Sequence, residues 1–328
     1  MTVPTTARRY LLRKALSVVL TIFLIVSLNF ILFHVLPGDP TRVLLPKGGG
    51  STNVTGGQQL REALLSEWGL DRPIHEQFVI YLQHMFQGDL GTSITYRIGQ
   101  PVTSIIAPRL LNTIVLVGIA TILSIVIGTK LGQIAGWRRG QPSDLAITMV
   151  SLVAYSIPTF WLGLILMFVF SLALSIFPSG QLDLSADPIT IAQQLALPVT
   201  TFVVESFALY TMIMRNSLTD VLTEDYMVTA RAKGLSTKRQ LRDHAYPNAR
   251  LPMITVIAFN IGWILSGAIA VEVIFRIQGL GLLTYDAVRA RDFPLLSAAF
   301  LVATIGVVVA NAIADVLYVY LDPRVTEA

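Results

Sequence analysis

The chain has 328 residues, 53% hydrophobic and only 13% charged, against about 25% charged in an ordinary soluble domain. With a mean hydropathy of +0.65, that composition excludes a typical soluble fold and predicts an all-α integral membrane protein, a single helical bundle. The net charge of +4 sits mostly at the ends of apolar runs, which argues against nucleic acid as a partner, and the absence of cysteine excludes disulfides, thiolate metal sites and cysteine nucleophiles.

A helix needs about 20 apolar residues to cross a hydrocarbon core of roughly 30 Å, and the chain offers about six such runs. The first, at 15–36, follows Arg8, Arg9, Arg13 and Lys14. It is long for a signal peptide, and Pro-Gly-Asp-Pro follows it in place of small residues, so it reads as an uncleaved anchor. Residues 1–36 are thus expected as a cytoplasmic N-terminus and first span. A long external loop is expected at 37–109. It begins with a Gly- and Ser-rich linker at 48–57 and carries two short amphipathic helices. One, at 58–68, aligns Leu60, Ala63, Leu64 and Trp68; the other, at 73–86, aligns Ile74, Phe78, Tyr81, Leu82 and Met85, with Asp71 available as its cap.

The remaining residues to 321 are expected as a five-helix core, 110–321, followed by a cytoplasmic tail at 322–328. The second span covers 110–135. The third candidate runs from 144 to 177, too long for one upright crossing, and Pro158 predicts a kink or a break within it. Spans at 195–214, 253–274 and 295–321 complete the six. An even count puts both termini on one side, and the lysine and arginine bias makes that side cytoplasmic. Arg138 and Arg139 join the basic N-terminus there, as does a basic loop at 215–252, whereas the connection at 178–194 has Asp183, Asp187 and no base. Arg276, Arg289 and Arg291 depart from this rule, because the count puts them outside.

No phosphate-binding Gly-x-x-x-x-Gly-Lys-Ser/Thr motif, His-Glu-x-x-His pair or Gly-x-Ser-x-Gly elbow occurs, so no catalytic, cofactor or metal site is expected on this chain. Its four histidines, His34, His75, His84 and His244, fall on separate segments. A charge in the middle of a span costs roughly 2.5 to 3.5 kcal/mol on insertion scales, so polar residues there call for an explanation. Glu205 lies midway along the fourth span, where lining a polar pathway and structural pairing are equally open readings. Asn29 and Asn260 are further pathway candidates, set against the commoner role of bonding neighbouring helices. Asn311 and Asp315 share a helix face and read as interhelical glue.

The basic loop carries the most specific signal. Residues 217–233 contain neither Gly nor Pro, and Gly234 is placed to end that helix and release a second one. A rigid helix laid across the ends of two spans would move as they move. The spacing Val228-Thr-Ala, three residues, Gly234, nine residues, His244, one residue, Tyr246-Pro247 resembles the Glu-Ala-Ala loop of ABC importer permeases. Within that group, Asp225-Tyr-Met-Val-Thr-Ala-Arg-Ala-Lys-Gly-Leu235 is similar almost position for position to the loop of the dipeptide, oligopeptide and nickel branch. The resemblance covers nearly the whole chain, through Phe-His-Val-Leu-Pro-Gly-Asp-Pro at 33–40, Ser-Ile-Pro-Thr-Phe-Trp-Leu-Gly at 156–163, and Glu-Val-Ile-Phe at 272–275 with Gly-Leu-Gly at 279–281.

The resemblance implies a multi-pass protein of the bacterial inner membrane that forms half of a path for peptides, in contact with membrane lipid. An external substrate-binding protein would deliver cargo, a second related permease would complete the path, and two cytoplasmic ATPase subunits would bind ATP and Mg. The ATPase-coupling residues would be Asp225, Tyr226, Ala230, Arg231, Ala232, Lys233, Gly234 and Leu235. A coupling helix is expected from Tyr226 to Leu235, Ala230 and Ala232 allowing close approach to an ATPase groove. Nickel or glutathione are alternative cargoes. A proton-coupled secondary transporter with Glu205 or Asp315 as relay, and a membrane scaffold that transports nothing, are the other classes considered. Three positions depart from the family pattern: Gln278 stands where Pro is usual, Val228 and Thr229 replace the Glu and first Ala of the general loop, and Pro247 stands where this branch often has Arg.

Overall fold

The computed structural model describes residues 5–35, 72–178 and 180–321, except the side chains of 5–12, 34–35, 255, 258–268 and 314–321. The linker at 48–57, the helix expected at 58–68, Asp71 and the tail at 322–328 lie outside the described residues, as do the side chains of Asn260 and Asp315.

Helix α1 (Thr5–Phe30) continues as a π-helical turn, Ile31–Val35. Helix α2 (Ile74–Phe86) matches the expected helix at 73–86, with Pro73 at its N-cap and no side-chain cap. It lies against α1 through aromatic edges: the Phe78 ring sits 5.2 Å from that of Phe30 and 6.4 Å from that of Phe23. Helix α3 (Val102–Trp137) begins eight residues before the expected span at 110. The third expected span is two helices, α4 (Pro142–Ser156) and α5 (Thr159–Leu166), the latter extended by a π-helical stretch, Met167–Ala173. They bend by 95° at Ile157 and Pro158, because proline cannot donate into the preceding turn and disfavours helical geometry in the residue before it.

Helix α6 (Pro188–Val221) starts from Asp187, whose carboxylate accepts the amides of Ile189 (3.0 Å) and Thr190 (3.1 Å), with Pro188 in the first helical position. Next come a short helix, α7 (Asp225–Ala232), a turn at Thr237–Arg239 with a π-helical segment Gln240–Ala245, and α8 (Tyr246–Ile274). Two further helices, α9 (Leu280–Ala290) and α10 (Phe293–Leu321), close the chain. Among the described residues, four stretches are long and apolar enough to cross a membrane, Arg13–Phe33, α3, α6 and Phe293–Ile313, and the bent pair α4–α5 makes a fifth. The remaining expected span, the fifth, at 253–274, falls on α8. Lipid-type surface is plain on α1, where Leu16, Val19, Leu20, Phe23, Leu24 and Leu28 are all exposed.

Among the described residues the most extensive helix–helix packing joins α3 to α6. Gly128, Gly132 and Gly136 recur every four residues on one face of α3 and let the two backbones touch. A Cβ on Gly132 would sit 2.5 Å from the Thr211 carbonyl and 2.6 Å from the Met214 Cβ, and one on Gly128 would meet Phe207 and Tyr210 as closely. Gly132→Ala should therefore cost about 1–3 kcal/mol through overpacking. Gly118→Ala, on the same helix with nothing within 4 Å of its Cβ position, should be neutral or stabilising, because alanine is the better helix former by about 1 kcal/mol. Thermal unfolding in detergent compares the two, and equal effects would refute a backbone seam.

At the far end of the bundle a single carboxylate organises the chain reversal into α10. Asp292 is fully buried; its Oδ2 accepts the Ser93 hydroxyl at 2.6 Å and the amides of Ile94, Thr95 and Tyr96 at 3.0 Å each. Its Oδ1 accepts the Leu295 amide at 3.2 Å, capping α10. The segment before α3 is thereby fixed to the start of the last helix.

Candidate functional site

The helix expected over 217–233 is two helices. Helix α6 ends at Val221, a turn spans 222–224, and α7 starts at Asp225. Freedom from Gly and Pro permits a helix but does not oblige one, and burial decides here. Met227 is fully buried in a cluster with Tyr210, Met214 and Leu218 of α6, and Ala245, Ala249 and Met253, and Ala230 is 4% exposed. Continuing α6 straight would leave Met227 outside that cluster; turning at 222 buries it.

The expected coupling helix, Tyr226 to Leu235, is thus Asp225–Ala232. Ala230 is buried within the chain itself and so is not offered to an outside groove. Asp225, Tyr226, Val228, Thr229, Arg231, Ala232 and Lys233 form the exposed side. Burial, and secondarily the neighbouring Glu224, pushes the Tyr226 phenol above its ordinary range. Arg231 donates to the Leu222 carbonyl at 3.2 Å, tying α7 to the end of α6.

Gly234 ends α7 as expected. Its φ is +70°, its amide donates to the Arg231 carbonyl at 2.9 Å, and the Leu235 amide reaches the Ala230 carbonyl at 3.4 Å. That pair of bonds is a Schellman motif, which needs a left-handed residue where glycine is cheapest. The Gln240 amide group then holds the Leu235 carbonyl at 2.6 Å, and the Ser217 hydroxyl bonds the Ala249 carbonyl at 2.8 Å across α6 and α8. The loop's cations are unequal. Arg215 lies within α6 and grips buried Asp144 of α4 with Nε at 2.5 Å and Nη2 at 2.8 Å, while exposed Arg242 pairs with Asp243 and holds that carboxyl below its usual range.

The pathway candidates part company. Asn29 is 6% exposed; its Nδ2 donates to the Ser297 carbonyl at 3.1 Å, and its Oδ1 accepts the hydroxyls of Ser297 at 2.6 Å and Tyr81 at 3.0 Å. That is a clamp between α1, α2 and α10. Glu205 is half-buried on α6 and makes no hydrogen bond or ion pair among the described residues. The backbone of Asn260 lies in α8.

Sequence reasoning missed Glu272, a fully buried carboxylate at the end of α8. It accepts the Thr113 hydroxyl at 2.6 Å and the Leu282 amide at 2.9 Å, and Thr113 in turn accepts the Leu280 amide at 2.8 Å. A side chain of the preceding helix thus caps α9. A Cβ on Gly279 would collide with the Glu272 carboxylate, and one on Gly281 would come within 2.7 Å of the Ile269 Cα and 3.0 Å of Glu272 Oε2. Glu272 and the Gly-Leu-Gly at 279–281 are therefore one device. Their joint presence in the sequence was the available signal.

The profile of binding-protein-dependent transport system inner membrane components matches residues 128–327, and the profile of the N-terminal part of such components matches 7–117. The chain is 36% identical over 320 residues to the oligopeptide transport system permease protein AppB of Bacillus subtilis, covering 96% of this chain and 98% of that one. It is 35% identical over 318 residues to the glutathione transport system permease protein GsiC of Salmonella typhimurium, and 32% identical over 317 to the probable peptide ABC transporter permease protein y4tP of Sinorhizobium fredii, each match with the same coverage. Among solved structures, an amino acid ABC transporter crystallised with histidines is similar at a TM-score of 0.52 and 15% identity, over 66% of this chain and 94% of that one. This last likeness concerns the fold alone.

Proposed function

The chain belongs to the binding-protein-dependent ABC importer permeases, multi-pass components of the bacterial inner membrane, and from that premise we propose that it carries peptides as one half of a two-permease path. Six crossings with both termini inside, a second related permease, two ATPase subunits on the cytoplasmic face and an external binding protein complete the reading. Oligopeptide, peptide and glutathione permeases among its relatives support peptide-like cargo over nickel.

One observation carries the mechanism: α7 is a separate helix, bolted by Met227 onto the ends of α6 and α8, with an exposed outer side that carries Asp225, Arg231 and Lys233. Closure of an ATPase pair gripping that side would displace α7, and α6 and α8 with it. The equilibrium between inward- and outward-open states would shift by the differential contact energy. Lys233 and Arg231 suit acidic residues on the ATPase, and Tyr226 offers an amphipathic contact.

Reconstitution tests this. Peptide uptake into vesicles should require ATP, the ATPase subunits and the binding protein, and should be absent when the chain alone faces a proton gradient. Glu205, half-buried and without a partner among the described residues, and Asp315 are the residues on which a proton-coupled alternative would depend. Proton-driven uptake by the isolated chain, lost in Glu205→Gln, would replace the ATP-driven reading.

A further inference from the structure

Arg276 and Arg289, which break the positive-inside pattern, meet a third arginine in space. Together with Arg109 they line a cleft of ≈ 480 Å³, with Tyr96, Tyr285 and a single acid, Asp286, also in its wall. The cleft lies at the end of the bundle away from the coupling loop. Gly136 packs against Arg215 and Leu218 near that loop, and Arg109 is 27 residues earlier on the same helix, about 40 Å at the α-helical rise.

Among the described residues, internal partners hold these cations only weakly. Arg109 is 7% exposed, and among the described residues its guanidinium makes one hydrogen bond, to the Tyr96 hydroxyl at a long 3.4 Å. Arg289 lies over the Tyr285 ring at 5.7 Å. Among the described residues none of the three forms an ion pair. Glu272 behind Arg109 has its oxygens engaged by Thr113 and the Leu282 amide. Burying a guanidinium is unfavourable unless its charge is offset; Glu272 attracts Arg109 without bonding to it, and a bound anion would offset the rest of that penalty. The fork of an arginine matches a carboxylate in two parallel bonds, and the volume suits a small ligand or the end of a peptide.

We infer that this cleft binds the terminal carboxylate of the cargo peptide at the mouth of the path, an assignment that rests on the peptide reading above. Oligopeptides and glutathione both present such a group. Arg109 is set too deep for a carboxylate on the face of a folded binding protein, whereas a peptide end can enter.

The assembled transporter without its binding protein is tested by equilibrium dialysis against trialanine and trialanine amide. The acid should bind about tenfold more tightly, the scale of one charge-assisted hydrogen bond. The double variant Arg276→Asn, Arg289→Gln should abolish that preference; asparagine accommodates the positive φ of 50° at 276. Docking of the binding protein should be unchanged in the same variant. Equal binding of acid and amide by the wild type would overturn the cleft, and so would a variant that keeps the preference or loses docking instead. Uptake of trialanine by the complete system reports separately on cargo. Uptake without acid preference removes the cleft and leaves the peptide reading; acid preference without uptake keeps a carboxylate site and removes the peptide reading.

Discussion

Gly234→Val should leave the transporter assembled and lower ATP-driven uptake at least about tenfold. The reason lies in the backbone alone: nothing stands within 4 Å of the Cβ that would be added, but the φ of +70° costs a non-glycine residue roughly 1–2 kcal/mol, and a β-branched one is the worst fitted to it. Relaxing that angle breaks the Schellman bonds of Gly234 and Leu235 and lets α7 lift from the cluster around Met227. Gly234→Asn should keep uptake within about twofold of wild type, since asparagine enters the left-handed region at little cost. Uptake in reconstituted vesicles, with pull-down of the ATPase subunits as the assembly control, gives the comparison. Wild-type uptake by Gly234→Val would remove the coupling role of this turn.

The second large effect concerns Asp144 and Arg215. Asp144 is 4% exposed and joins the start of α4 to α6 through a two-pronged contact. Removing Arg215 leaves a buried carboxylate uncompensated, at a cost of about 3 kcal/mol, the lower end of the range for broken buried pairs because Arg215 keeps about a fifth of its side chain in solvent. Arg215→Met should lower the thermal midpoint sharply, and Asp144→Leu added to it should restore most of the loss, as well-packed apolar pairs replace buried ion pairs at little cost. A double variant no more stable than Arg215→Met would show that packing around the guanidinium, not charge, holds these helices.

Much of the fold was legible because long apolar runs leave few alternatives. The helices α1, α3, α6 and α10 lie where hydropathy put them, and Pro158 marks the break in the third segment. What hydropathy could not show was set by polar contacts distant in sequence. Helix α9 went unseen because its N-terminus is capped by Glu272, 10 residues from Leu282, and by Thr113, 167 residues from Leu280. The division of 217–233 depended on Met227 finding a pocket made by α6 and α8. Arg215 counted as a loop cation until Asp144, 71 residues away, neutralised it. The Schellman turn at Gly234 was readable because glycine chemistry is local.

The glycine seam between α3 and α6 also divides the labour of movement. Backbones in direct contact have no flexible side chains between them to repack, so these two helices can only travel together. A displacement arriving through Arg231 and Met227 at the foot of α6 would therefore be handed to α3 as well. A hinge would then lie elsewhere, and the 95° bend at Pro158, where the helix is already interrupted, is the place for such a two-helix piston to swing.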